Sequence, residues 1–432
     1  MAGGKQVSII FEEFLFLKIF RAFRMAIQPT KLIITSSALA MICLVGWAMD
    51  FSQSVAVERD ISNNQIINSE LQIYLLGLQN KEIKASIEDL RQGEERSGVF
   101  KILWRSSATC FKNAVDSIFD RNIREIVKSI TGFYKSLEWA IKYHYIYCAI
   151  FFIIVLAVLS SAGGAICRIA ALQNAHDEKP GISEAVRFST KRFKSLFQAP
   201  LVPIFIIIAI GIIIFVAGLL GNIPVVGEII IGLSIPLSLF AGILITAVII
   251  GALAGFNLMF PAIAYDGSDS FDSISRSFSY VYAKPWSTLF YTSIAAIYGS
   301  ICYTFVRFVA FLALAVTHTF MKVVIWTTNN DGDVNKLDAI WPKPTPINFY
   351  DPSTISPETL PEKIGAAIIY FFVLIVIGMV VSFIISFYFS ANTIIYSLLR
   401  KKVDNTDIDN VYSYHNENDD DPIIPESTEE NK

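Results

Sequence analysis

The sequence predicts an all-α, polytopic integral membrane protein of about six transmembrane helices, arranged as three repeated hairpins each preceded by an interfacial amphipathic helix. Three observations predict it. Hydrophobic residues make up 53% of the 432 residues and charged ones only 17%, against about 45–50% and about 25% in soluble domains. The apolar residues gather in blocks long enough to cross a hydrocarbon core, which takes about 20 helical residues. Shifted by 89 residues, the chain also aligns with itself without a gap across a stretch that joins two such blocks.

Taken in order, residues 1–51 hold an interfacial helix in "FEEFLFLKIFRAFRMAIQP" and a first span near 32–50. Glu12 and Glu13 stand where a cleavable signal needs an apolar core, and Ala2 stands where myristoylation needs glycine. Residues 52–145 read as an extracytoplasmic helical insertion, because "FKILWRSSATCFKNAVDSIFDRNIREIVKSITGFYKSLEWAIKYHY" has apolar residues at helical spacing. It is either an outer-face cap or a surface for a protein partner. Residues 146–316 carry the repeated membrane hairpins, with spans near 146–171, 200–220, 237–263 and 286–310. Glu228 is the only ionised side chain in 200–264, and the roughly 36 residues after it are too few for two helices and a turn. Pro236 is therefore expected to separate a short apolar lead-in from one long helix. An extracytoplasmic loop at 317–363, rich in Pro and Asn, precedes the last span, 364–402. Residues 403–432 contain ten acids with little to bury and read as an acidic disordered tail.

Lys and Arg in short flanks orient the spans. Lys5, Lys18, Arg21, Arg24 and Lys31 precede the first, five more lie in 173–199, and Arg400, Lys401 and Lys402 follow the last. With six spans all of these fall on one side, the cytoplasmic one, together with both termini. In the self-alignment Asp177 falls on Asp266, Arg187 on Arg276, Phe193 on Tyr282 and Phe197 on Trp286. The first of the two aligned connectors has Ile182, Ala185, Val186, Phe193, Leu196 and Phe197 on one helical face and Arg187, Lys191 and Lys194 opposite. That pattern lies in a headgroup region with its cations toward anionic lipid, with Ser183 as its N-cap and Glu184 in its first turn.

Few residues suggest chemistry. Arg168 follows the small-residue run "SSAGGAI" and either snorkels to the nearby helix end or forms a polar site. Arg307 lies near the outer end of its span if the helix starts at Trp286, and well inside if it starts later. Arg168, Arg307, Arg187, Lys191 and Lys194 are thus the candidates for ligand or lipid contact. "DGDVNKLD" at 331–338 begins like a calcium loop, but Lys336 stands where the turn needs glycine. Gly251 and Gly255 are spaced for close helix packing inside the fold. The five cysteines form no disulfide or zinc pattern, and there is no P-loop, H-E-x-x-H, G-x-S-x-G or dinucleotide fingerprint. No catalytic residue, cofactor, metal or nucleic-acid partner is indicated.

"WAIKYHYIYCAIFFIIVLAVLSSAGGAICRIAAL", "AVRFSTKRFKSLFQAPLVP" and "NTIIYSLLRKKVDNTDIDNVY" together resemble a family of uncharacterised polytopic membrane proteins common in planctomycete-type bacteria. The resemblance implies a bacterial cytoplasmic-membrane protein and carries over no functional residues. The repeated hairpin with its interfacial helix is also similar in architecture to membrane domains attached to some bacterial glycerophosphodiester phosphodiesterases. The resulting expectation is a non-catalytic scaffold or subunit of a membrane complex, touching anionic headgroups at the cytoplasmic face and a protein partner through the insertion. Its alternative is a carrier of a lipid or other amphiphile through a cavity between the repeated hairpins.

Overall fold

The computed structural model describes residues 14–52, 54–59, 66–76, 88, 90, 95–224, 226–325, 335–346, 349 and 359–412. A 3-10 helix, Phe14–Phe20, leads into α1 (Arg21–Ala26) and then α2 (Pro29–Met49). Strands β1 (Val55–Arg59) and β2 (Ile66–Ser69), helix α3 (Glu70–Leu75) and strand β3 (Arg96–Ser97) follow. An antiparallel pair comes next, α4 (Val99–Phe119) and α5 (Ile123–Tyr143), then α6 (Tyr145–His176), α7 (Ile182–Lys191) and α8 (Phe193–Gln198). The chain continues through α9 (Val202–Leu220), α10 (Gly227–Asp266), α11 (Ser270–Ala283), α12 (Pro285–Val324), α13 (Lys336–Ile340) and α14 (Leu360–Asp404).

Six of these helices, α2, α6, α9, α10, α12 and α14, are long and apolar enough to cross a membrane. Helix is the form such segments must take, since lipid offers no partner to a backbone N–H or C=O. Pro29, Pro203, Pro285 and Pro361 sit in the first turns of four of them, where the missing N–H costs nothing. Pro236 does not divide the fourth as expected: α10 runs unbroken from Gly227 through both Pro236 and Pro261. In an apolar medium the helix has no competing hydrogen-bond partner, so losing one internal bond does not end it.

Helices α6 and α14 pack on each other and each on both α2 and α10, α12 lies along α14, and α9 lies chiefly against α10. Burial is concentrated at one end of this bundle: 160–174 of α6, 258–265 of α10 and 386–400 of α14 are nearly continuous buried stretches. Arg24, Lys31, Arg168 and Arg400 lie at this end, hereafter the basic end. Small residues permit the approach. A Cβ on Gly163 would fall 2.6 Å from the ring of Phe389, and one on Gly164 would fall 2.3 Å from Leu196. Gly251 and Gly255 face Phe278 and Ser277 of α11, so that pair also serves packing within the chain.

The insertion is not wholly helical. β1 pairs antiparallel with both β2 and β3, and its Val55 and Val57 pack with Leu71, Val99, Ile102 and Trp139. "VAVER" has no alternation to mark it as a strand; its pairing is decided by partners about 10 and about 40 residues away rather than by local pattern. Asp50, just after α2, fastens the hairpin: its carboxylate accepts from the backbone N–H of Phe100 at 2.8 Å and of Lys101 at 2.9 Å. Tyr147 at the start of α6 donates to the same carboxylate at 3.3 Å. Asp50→Ala should cost about 0.5–2 kcal/mol, the worth of an N-cap, and speed amide exchange in the first turn of α4 more than elsewhere. Unchanged exchange there would show that the cap contributes nothing.

Ser183 does not cap α7; Gly181 occupies that position with extended backbone, and Ser183 lies inside the first turn with Glu184. The connector also breaks at Arg192 into α7 and α8, so it is two short helices rather than one. At the other end of the bundle, α13 and Trp341 pack on α12 and α14, where Asp338 pairs with Lys322 at 2.6 Å and with His318 at 3.4 Å. Asn335 caps α13 through the N–H of Leu337; the rest of the calcium-like stretch, 331–334, and tail residues 413–432 lie outside the described residues.

Candidate functional site

Two features of the bundle stand out, a charged cluster at the basic end and an apolar cavity in its side. The cluster centres on Asp266, the last residue of α10, with a carboxylate only 6% exposed. Arg400 of α14 approaches it at 3.1 Å and Arg276 of α11 at 3.5 Å, and the Tyr396 hydroxyl donates to it. Arg276 also binds Asp272 at 2.9 Å. Burial draws the Arg276 pKa down, but Asp266 and Asp272 outweigh it and hold the group above its ordinary value. Alongside, Tyr280 donates to Asp404; burial and then that hydrogen bond hold its phenol well above the usual range. Asn174 of α6 donates to the Tyr265 hydroxyl at 2.7 Å and to Ser397 at 2.9 Å.

The chain leaving α14 closes over this cluster. Arg400 donates to the Asn410 carbonyl at 2.6 Å, and the Tyr412 N–H donates to the Tyr265 carbonyl at 2.8 Å. Ile408 is buried beneath it. Residues 405–412, counted from the sequence with the tail, therefore form a strap across the end of α10. Each charge in the cluster has an opposite charge or a hydrogen bond within reach. The arrangement clamps helix ends together.

The five residues singled out from the sequence do not converge. Arg168 lies at the basic end, donating to the Ala264 carbonyl at 3.1 Å with its guanidinium over the Phe188 ring. It ties α6 to α10 and α7. Arg307 lies toward the other end, donating to the Pro346 carbonyl at 3.0 Å beside the Phe349 ring. Arg187, Lys191 and Lys194 are exposed on α7 and α8, opposite buried Ala185, Phe188 and Leu196.

The cavity, of about 340 Å³, lies between α4, α10, α12 and α14. Phe111, Ala114, Val115 and Ile118, one face of α4, form one wall, and Phe111 meets Tyr303 edge-on at 5.3 Å. Ala295, Ala296 and Gly299 of α12 and Phe383 and Phe387 of α14 make most of the rest. The polar exceptions are Asn257 and Asn392, with the hydroxyls of Thr292, Ser300, Tyr303 and Tyr388; that of Ser300 turns back to the Ala296 carbonyl at 2.9 Å. Tyr388 donates to Asn257 Oδ1, and Asn392 donates from Nδ2 to the Tyr388 carbonyl at 2.9 Å. Among the described residues this leaves Asn257 Nδ2 as an unpaired donor and Asn392 Oδ1 as an unpaired acceptor at the wall.

Sequence reasoning counted Lys31 only as a flanking charge. The structure buries it completely, with its ammonium donating to Gln173 Oε1 at 3.2 Å and Ser390 Oγ at 3.3 Å. The available signal was Pro29 two residues earlier, which starts the helix and places Lys31 inside its first turn. Among the described residues no three His, Cys, Asp or Glu side chains are close enough to hold a metal. Comparison with family models, curated proteins and solved structures finds no match to this chain.

Proposed function

We propose that the chain is a non-catalytic multi-pass membrane protein that holds a lipid or another amphiphile in the cavity between α4, α10, α12 and α14. The carrying observation is the character of the wall: nearly all apolar, with one open amide donor and one open acceptor from Asn257 and Asn392. A volume of about 340 Å³ lies within the roughly 300–1,000 Å³ of small-molecule sites. Such a wall suits a hydrocarbon chain ending in an ester or hydroxyl, and it offers little to an ion.

Replacing Ala296 with Trp fills this cavity from α12. We expect the lipid retained by the purified protein to bind about tenfold more weakly, or about 1.4 kcal/mol, by native mass spectrometry. Ile208→Trp on the outward face of α9, where Ile208 is 53% exposed, should leave retention unchanged. Equal retention in both variants would remove the cavity from the mechanism.

The scaffold reading has its own support. Ile123, Val127, Ile130, Tyr134, Leu137 and Ile141 form an exposed row on α5 at alternating spacings of four and three, the pattern of a helix-pairing seam. Crosslinking from this row to one stoichiometric partner would favour a subunit role.

The basic flanks support a cytoplasmic-membrane protein with both termini inside, and the family resemblance supports a bacterial one. The repeat reading, three hairpins each with an interfacial helix, draws support from matched positions: Ala185 and Ile274 are both buried, as are Phe188 and Ser277. Asp177 is the left-handed residue that closes α6, and Asp266 is the last helical residue before left-handed Gly267, so the two helix ends match to within one position.

A further inference from the structure

A second cavity, of about 230 Å³, lies at the basic end between the start of α2 and the end of α6, lined by Arg24, Gln28, Gln173, Asp177 and Lys179. Lys31 stands directly behind Gln173. A buried ammonium is expensive to keep charged, and native structures normally give it a carboxylate. Lys31 has none among the described residues: its two recorded partners are the neutral oxygens of Gln173 and Ser390. Gln173 is itself only 3% exposed, yet it faces the cavity. Its oxygen is taken by Lys31, so its amide nitrogen is left as a donor without a partner among the described residues. Accepting from a cation makes that amide the stronger donor.

Local backbone adds to the same field. Gln28 is the N-cap residue of α2 but makes no side-chain cap, and its buried Oε1 has no hydrogen-bond partner among the described residues. Gln28 lines this cavity and precedes the helix, so the first turn of α2 next to it carries no side-chain cap. Arg24 and Lys179 bring two positive charges to the lining against the one carboxylate of Asp177, with the Lys31 amine behind Gln173. Asp177 pairs with Arg24 at 3.4 Å, but both side chains are more than 60% exposed, so water and salt weaken that pair. The requirement that remains is an anion with several acceptor oxygens.

We propose that this cavity binds a phosphate oxyanion, carried by a lipid headgroup or free in solution. The phosphate accepts from Gln173 Nε2 and from Arg24 and Lys179, while Lys31 supplies the unscreened charge behind the amide. This site is separate from the apolar cavity and does not depend on the function proposed for it.

The test uses the full-length protein purified in a phosphate-free, phospholipid-free detergent, with thermal unfolding as the readout. One arm titrates inorganic phosphate; the other adds phosphatidylglycerol at fixed detergent mole fraction. Stabilisation by the lipid alone identifies a headgroup, and stabilisation by submillimolar phosphate identifies a soluble ligand; either supports the site. Gln173→Leu and Lys31→Met should each weaken the response at least about tenfold, the loss of one charge-assisted hydrogen bond or its supporting charge. Should those buried variants fail to fold, Arg24→Gln with Lys179→Gln, both on the cavity rim, should weaken the response and its salt dependence. No stabilisation by either anion, or equal stabilisation of wild type and these variants, overturns the proposal.

Discussion

Asp266→Asn should be the most damaging single substitution in the chain, lowering stability by about 3–5 kcal/mol, the range for leaving a buried ion-pair partner uncompensated. Asparagine keeps the size of the side chain and removes only its charge. Among the described residues Arg400, whose side chain is 10% exposed, would then have no carboxylate in reach, and Arg276 would retain only Asp272. The Tyr396 hydroxyl would also lose its charged acceptor. Three elements, α10, α11 and α14, are joined at this one carboxylate, so the loss should appear as cooperative unfolding at lower temperature rather than local fraying. The companion is Asp266→Leu with Arg400→Met. Because the double variant buries no unpaired charge, it should be more stable than Asp266→Asn alone. A single-variant loss below about 1 kcal/mol, or strictly additive losses, would show that the cluster is solvated and contributes little.

Gly267→Val should be the second in size, with a cost of order 1–3 kcal/mol from the backbone alone. Gly267 ends α10 with φ of +61°, a conformation that a β-branched residue adopts only under strain. A side chain there has a second problem, since its Cβ would fall 2.6 Å from the ring of Tyr412. The strap must then lift, losing the Tyr412 N–H bond to Tyr265 and the stacking of Arg192 on the Tyr412 ring. The specific expectation is that 405–412 becomes susceptible to limited proteolysis while the spans stay protected. Gly211→Val is the control, because nothing lies within 4 Å of a Cβ at Gly211. Proteolysis that is unchanged in Gly267→Val would mean the strap is held by Ile408 and Arg400 without Tyr412.

The spans were legible because the apolar blocks near 32–50, 146–171 and 200–220 admit only one structure in lipid. The small-residue runs at 160–165 and 251–255 were legible for a similar reason: glycine and alanine in a span have few uses other than close packing. The strands at 55–59 and 66–69 were less so, since amphipathic periodicity in the helices after them dominated the reading of the whole insertion. Pro236 misled because the rule that proline ends a helix comes from water, where the freed carbonyl has another partner.

The candidate sites were mostly invisible. Arg168 and Arg307 attracted notice as charges in apolar surroundings, and the structure gives each a carbonyl and an aromatic ring. Asp266 attracted notice only as the repeat partner of Asp177, because it stands at a helix end where an acid ordinarily meets water. Its burial depends on Arg400, 134 positions later in the sequence. Lys31 meets Gln173 and Ser390 across separations of 142 and 359 residues.

The sequence by itself determined that this is a helical protein with six apolar segments of membrane length, and which end of them collects the basic residues. Those properties follow from local composition, because hydrocarbon removes every alternative to the helix and charge is counted one residue at a time. Only the tertiary structure decided which charges are buried, that α4 walls an apolar cavity, and that Lys31 in the first turn of α2 meets Gln173. Burial belongs to the packing of helices distant in the chain, and an isolated segment carries no record of what will lie against it.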